Sequence, residues 1–516
     1  MITTVPLAGQ YGLNKDTPAQ ELPLNAWTTA QNVAFRDGSV ERISGYASAF
    51  AAPAVTPYYL QAFQTSTAKF WVHCGLTKVY VDDGVTRTDI TAASAPTGAI
   101  DDRWSGGSLN GILLLNNGAN LPVYWAGNVA TPCQTLTGWN VNWTAACIRP
   151  LRNYAVALDI TKSGTRYRNM VKWSHAADPG AIPSSWDETD ATKDAGEQDL
   201  SGSDPVIDLL PLGDVGIIYK ERSMWSMKFI GQPFIWQFQR LPGDVGILNR
   251  GCVADTPAGH VVLTQGDVVI HQGQGTQSII NAKLRKWLFA NIDATNYKRA
   301  FVATNPGKNE VWVCFPESSQ AACTKALVWN WIDQTWGIRS LPNVTYGSVG
   351  VAAYGSISTW SGTATTWAAT SGTWDASDVG QSQATLLVTE TTPLISAINT
   401  ATSFNGTAIT SIAERTGMVL SDARGNPDPH SVKTVMSIRP RIDGTAGQTL
   451  TIEIGSQMDI EGPVTWSTGV TYTIGTSYKA DAFAVGRFIA VRFTSVGGDP
   501  WRVRSFDIEY ETSGMY

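Results

Sequence analysis

Paired short runs of β-branched and aromatic residues, joined by tight turns, recur along the first two thirds of the chain. FWVHC (70–74) meets KVYV (78–81) across Gly75-Leu76-Thr77, and ILLLNNG (112–118) precedes PVYW (122–125). YAVAL (154–158) precedes MVKWS (170–174), and VGIIYK (215–220) and SMWSMK (223–228) flank Glu221-Arg222. HVVLTQ (260–265) and VVIH (268–271) flank Gly266-Asp267, while VWVCF (311–315) leads to ALVWN (326–330) and TWGIR (335–339). These are hairpin signals. Their starts recur at about 40–50 residues, the spacing of propeller blades, with one wider gap after 154. A lone hairpin buries too little to be stable, so the units must pack on one another, and about six of them close a ring without a long free edge. The expectation is an all-β chain: a β-propeller of about six blades over 51–345, with an inserted loop at 175–205. A multi-sheet β-sandwich is the alternative.

Composition agrees. The chain has 516 residues, enough for two to four domains. Charged residues make up 16%, against about 25% for an ordinary soluble domain, while Gly 48, Pro 25 and Trp 20 supply turns and aromatic packing. The net charge of −6 argues against an electrostatic grip on nucleic acid, which needs a clustered basic excess. No apolar run reaches the ~18 residues of a membrane helix. MITTVPLAGQYGLNKD lacks the basic head of a secretory signal, so the six cysteines are expected to be reduced core thiols.

Three other textures frame the repeat. Residues 1–50 read as an N-terminal strap with first strands. Between 346 and 430, Trp360, Trp367 and Trp374 stand seven apart among Ser, Thr and Gly. Those residues form helices poorly, so the run reads as Trp-anchored turns and a candidate set of interface aromatics. From 431 to 516, TLTIEI (449–454) and FIAVRF (488–493) alternate cleanly, predicting a C-terminal β-sandwich. The best helix candidate is 281–292, with Leu284, Trp287, Leu288 and Ile292 near helical spacing.

No catalytic, cofactor-binding or metal-binding set is legible. The histidines His73, His175, His260, His271 and His430 fall in no metal-ligand spacing, although His260 and His271 sit at the two ends of one hairpin. There is no nucleophile elbow, and the run Gly273–Ser278 fails the dinucleotide fingerprint. Asp187, Glu188, Asp190, Asp194, Glu197 and Asp199 cluster, opposed in sequence only by Lys193. Their spacing fits no calcium loop, and they read as a solvated loop or a negative surface. A carbohydrate-binding or carbohydrate-cleaving propeller is the competing functional class. The repeated Asp turn of sialidase-type propellers is only partly echoed, at Ile332-Asp333-Gln334-Thr335-Trp336.

The opening carries a further signal. Gly12-Leu13-Asn14, then Glu21, Leu22, Pro23, Ala26, Trp27, Asn32, Val33, Phe35, Arg36, Asp37, Gly38, Glu41, Gly45 and Tyr46, resemble the N-terminus of tail nozzle (tail tubular protein B-like) proteins of short-tailed bacteriophages. The resemblance recurs at 217–238, 243–253, 326–339, 360–374, 404–417, 438–457, 486–493 and 501–511. It implies a non-enzymatic virion component without cofactor, made in the bacterial cytoplasm. Such a protein forms a ring, usually a hexamer, below the portal and its adaptor. The ring extends the DNA channel and helps retain and release the genome, without sequence-specific DNA contacts. Tail fibre or tailspike proteins are further implied partners. On this resemblance the acidic loop is a candidate channel-facing surface, since a basic lining would hold the phosphates passing it.

Overall fold

The computed structural model describes residues 1–66, 68–351, 384–422 and 424–515. The Trp360, Trp367 and Trp374 run lies outside them. Five four-stranded antiparallel sheets follow one another along the chain. Blade 1 is Tyr59–Gln64, Lys69–Cys74, Val79–Asp82 and Arg87–Asp89; blade 2 is Ser105–Leu109, Ile112–Asn116, Val123–Trp125 and Gln134–Thr135. Blade 3 is Trp143–Leu151, Tyr154–Lys162, Thr165–Trp173 and Gly196–Asp199. Blade 4 is Val206–Leu212, Val215–Lys220, Met224–Phe229 and Trp236–Arg240; blade 5 is Val253–Thr256, Gly259–Leu263, Val268–His271 and Thr276–Ser278. Blade 6 begins with Phe301–Asn305, Glu310–Phe315, Cys323–Asn330 and Thr335–Val351, and grows to a nine-stranded sheet by adding Ala384–Glu390, Ile395–Ala401, Gly45–Ser48 and two short strands.

The fold is therefore all-β, a propeller joined to a β-sandwich. The first strand of each blade abuts the first strand of the next through blades 2 to 6. The ring closes where Leu60 and Trp71 of blade 1 share a core with Leu387, Ile395 and Ala397 of the sixth sheet. Aromatic residues fill the spaces between blades. Trp125 of blade 2 meets Phe63 and Phe70 of blade 1 at ring-centroid distances of 5.6 and 5.2 Å, and Tyr154 of blade 3 meets Trp236 of blade 4 at 5.2 Å.

Both ends of the chain build the sandwich. One sheet runs Ala480–Gly486, Ser431–Gly444, Trp501–Met515, Ser39–Arg42, Val33–Arg36, with Ile2–Val5 also on Trp501–Met515. The other runs Thr465–Trp466, Thr449–Gln457, Phe488–Val496, Thr410–Met418, Thr29–Gln31, with Val470–Thr473 also on Thr449–Gln457. Ile438, Ile454, Val491, Phe493 and Phe506 lie between the sheets, each fully buried. Segment 1–50 is thus divided between sandwich and sixth blade. Segment 346–430 is divided likewise, since Ala384–Ala401 extends the blade and Thr410–Met418 enters the sandwich.

The expected helix at 281–292 is cut to Arg285–Asn291. Ala282 takes a left-handed conformation, so the chain is still turning there. Asp16, from the N-terminal segment, accepts hydrogen bonds from the first-turn amides of Lys286 (2.9 Å) and Trp287 (3.2 Å). The cap that starts this helix is remote in sequence.

Candidate functional site: the filled axis and the acidic loop

The strands at the centre of the propeller read as apolar runs interrupted by a single charge: CIRPL contains Arg149 and VIDLLPL contains Asp208. The structure brings these two together. Arg149 Nε and Nη2 donate to Asp208 Oδ1 and Oδ2 at 2.8 and 2.9 Å, a bidentate pair between blades 3 and 4. Asp208 also accepts the Gly251 amide (3.1 Å), and Arg149 Nη1 donates to the Gly106 carbonyl in blade 2 (3.2 Å). Arg250 donates to the Arg103 carbonyl, and Arg103 donates to the Arg299 carbonyl (2.9 Å). The Arg103 guanidinium lies 5.7 Å from the Tyr346 ring of the sixth sheet, and Tyr346 lies 5.0 Å from Tyr59 of blade 1. One polar belt thereby touches blades 1, 2, 3, 4 and 6 and the segment that leads into blade 5.

Its electrostatics are those of a clamp. Burial alone would raise the Asp208 carboxyl; the Arg149 charge and hydrogen bonds, helped by Arg250 and Gly251, outweigh that and hold it below the ordinary carboxylate range. Burial likewise opposes the Arg149 charge, yet Asp208 drives its pKa well above the usual value. Burial pushes the neighbouring Cys252 thiol up to about 12 and the Tyr59 hydroxyl far up, so neither is a nucleophile at neutral pH. Both Asp208 oxygens are engaged and none of the residue is exposed. The sequence signal for this belt was a charge inside an otherwise apolar strand; its partner, 59 residues away, was not legible.

The expected loop over 175–205 is interrupted: Asp187, Glu188, Asp190 and Asp194 lie between the third and fourth strands of blade 3, but Glu197 and Asp199 belong to the fourth strand, where backbone pairing places Glu197 opposite Lys172 and Asp199 opposite Met170. The acidic cluster is partly neutralised from within the fold. Lys172, fully buried, pairs with Glu188 and, at 3.1 Å, with Glu197; Lys162 also pairs with Glu197. Lys162 and Lys172 lie over the Trp143 ring, at 4.6 and 5.2 Å respectively. Asp187 and Asp190 accept bonds from Thr189 and Thr192 in local turns, which hold both carboxyls low. Asp194 accepts from Tyr154 (3.3 Å) and Gln232 (3.1 Å). Glu188 and Glu197 are thus drawn together, while Asp187 and Asp199 remain exposed.

The hairpin histidines stand directly opposite one another. His260 Nε2 donates to the Pro211 carbonyl (2.9 Å), which leaves Nδ1 to accept the Tyr219 hydroxyl (2.8 Å). His271 is buried, and among the described residues neither of its ring nitrogens finds a hydrogen-bond partner. Among the described residues no group of three or more His, Cys, Asp or Glu could hold a metal ion, and no helix is long and apolar enough to cross a membrane.

No family model and no curated protein match the sequence. Solved structures with some likeness include the WD40 β-propeller domain of Doa1, with 9% identity, a TM-score of 0.34, and coverage of 69% of this chain and 96% of that one. The AfRom2 CNH domain gives 8%, 0.35, 69% and 98% for the same quantities. A functionally unknown protein from Desulfotomaculum acetoxidans DSM 771 gives 10%, 0.35, 58% and 94%. Likenesses this remote carry no function across.

Proposed function

We propose that this chain is the tail nozzle subunit of a short-tailed bacteriophage, a non-enzymatic virion component. On this reading it forms a ring, a hexamer by the resemblance, beneath the adaptor. The DNA channel is the lumen of that ring. One observation carries the reading: the N-terminal residues that bear the resemblance are the same residues that join propeller to sandwich. Trp27 is buried among Phe493 and Phe506 of the sandwich and donates to the Ala8 carbonyl at 2.6 Å. Arg36 pairs with Glu41 in the sandwich and Glu310 in blade 6. Asp37 and Gly38, both at positive φ, make the two-residue turn that sets Arg36 opposite Ser39. Gly45 passes so close to the Ser403 carbonyl that a Cβ would lie 1.9 Å from its oxygen. Arg36 bridges the two bodies directly, while Trp27, the Asp37-Gly38 turn and Gly45 set the strands on either side of the joint, so the resemblance falls on a working feature of the fold.

The filled axis supports the same geometry. A propeller whose centre is occupied by Arg149, Asp208, Tyr59 and Tyr346 is a wall block, and a conduit must run between subunits. The 187–199 loop is then assigned to the lumen, where its carboxylates repel passing phosphates.

Negative-stain microscopy of the purified protein, alone and mixed with the cognate adaptor rings, tests this. Ring-shaped density seated on adaptor rings is the expected result. A monomer that ignores the adaptor and binds or cleaves a glycan would replace this reading with the carbohydrate one.

A further inference from the structure

A cleft of about 420 Å³ opens where sandwich and sixth blade meet. Arg36, Arg42, Ser44, Lys308, Asn399 and Arg502 line it, together with the carboxylates Glu41 and Asp443. The carboxylates are already spoken for: Glu41 binds Arg36 and, at 2.8 Å, Arg502, while Asp443 binds Arg504. Arg36 has a second partner in Glu310. Two cations are left over. Lys308 is exposed and makes no ion pair among the described residues. Arg42 is 2% exposed, and among the described residues its guanidinium makes one hydrogen bond, from Nη2 to the Thr402 carbonyl (2.7 Å). Among the described residues its Nε and Nη1 have no hydrogen-bond partner.

A guanidinium held out of water with two of its three nitrogens unbonded is costly, and buried charges are ordinarily paired. Burial depresses the Arg42 pKa, outweighing the opposing pull of the exposed Asp499. The rest of the lining supplies further donors from several directions. Asn399 Oδ1 accepts from Arg339 (3.3 Å), which leaves its amide NH₂ free to donate, and the Ser44 hydroxyl is at hand. Donors converging from both bodies suit a tetrahedral anion with several oxygens better than a flat two-oxygen carboxylate.

We propose that this cleft is a phosphate-binding site, with Arg42 as the buried anchor and Lys308 as the outer cation, taking free phosphate or a phosphomonoester. The proposal stands apart from the tail assignment, since it rests on the cleft alone. The full-length protein is to be melted in inorganic phosphate, acetate and chloride at matched ionic strength and pH. Phosphate raises the Tm by mass action; acetate and chloride do not. Lys308→Ala, a change at an exposed turn, keeps the Tm in chloride and loses most of the phosphate-dependent rise. Arg42→Gln removes the uncompensated cation, so it melts no lower in chloride than the parent and gains nothing from phosphate. Equal Tm in all three salts would overturn the proposal. So would a phosphate response that survives unchanged in Lys308→Ala, which remains informative should Arg42→Gln fail to fold. A response to acetate equal to that to phosphate would overturn it in favour of a carboxylate site.

Discussion

At the scale of single residues, the fold buries ionisable groups in different ways, some locked by a partner and some kept neutral. Asp208 is locked by Arg149; His271 is the neutral kind. Desolvation, then the neighbouring His260, lowers the His271 pKa to about 4, against about 6.5 in an unfolded chain. Between those values the unfolded state binds a proton that the native state refuses. Stability is therefore complete above about pH 6.5 and falls as the pH drops toward 4. Tyr219 faces the imidazole edge-on at 6.4 Å and bears no charge in this range, so it offers no compensation. The expected outcome is a Tm that declines from pH 7 to pH 4.5, with a shallower decline in His271→Phe, which keeps a ring and removes the proton site. Parallel Tm-versus-pH curves for the two proteins would show that the acid sensitivity originates elsewhere. The sequence placed both histidines at the ends of one hairpin; it could not show that only His260 has partners, because Pro211 and Tyr219 belong to another blade.

At the scale of elements, the hairpins were the legible part. Every pair read from alternation is present as neighbouring strands, because a short connection makes strand pairing a local matter. Axial strands were harder to read. SGGSL (105–109) has no β-branched residue, yet it is a strand because its neighbours Ile112–Asn116 and Trp143–Leu151 hold it. Trp312 and Trp329 show what the hairpins anchor. They sit on adjacent strands of blade 6, where Trp312 opposes Val328 and Trp329 opposes Val311, so they face opposite sides of the sheet. Trp312 is fully buried, donates to Glu310 (3.1 Å) and carries the Arg339 guanidinium over its ring at 4.6 Å. Trp329 packs against Trp336 at 6.3 Å. Replacing either with Ala costs roughly 3–5 kcal/mol. Trp312→Ala is expected at the upper end, since it also strips cover from Arg339, whose pKa burial has already lowered to about 10. Chemical denaturation reads both values, and an unchanged midpoint for either would contradict the packing described.

At the scale of the whole molecule, the question is whether propeller and sandwich act as one body. Sequence texture divided the chain into consecutive blocks, but the sheets divide it by pairing, and pairing between residues hundreds of positions apart leaves no local mark. Asn32 is the point where this matters most. Its backbone amide donates to the Ile338 carbonyl (2.8 Å) and its Oδ1 accepts the Ser340 amide (2.8 Å), both in blade 6. Its Nδ2 donates to the Thr410 carbonyl (2.8 Å) in the sandwich. It does so from a left-handed conformation, φ 55°, which Asn tolerates better than most residues. Asn32→Ala removes both side-chain bonds and keeps the backbone strain, at a cost of about 2–4 kcal/mol. Because the lost bonds span the two bodies, the loss falls on their coupling and leaves each core intact. Calorimetry of the parent should give one unfolding transition, and Asn32→Ala should give two, or one visibly broadened toward lower temperature. A single sharp transition, merely shifted, would mean the bodies are held by their shared apolar core alone. The joint made by one asparagine would then be incidental to their coupling.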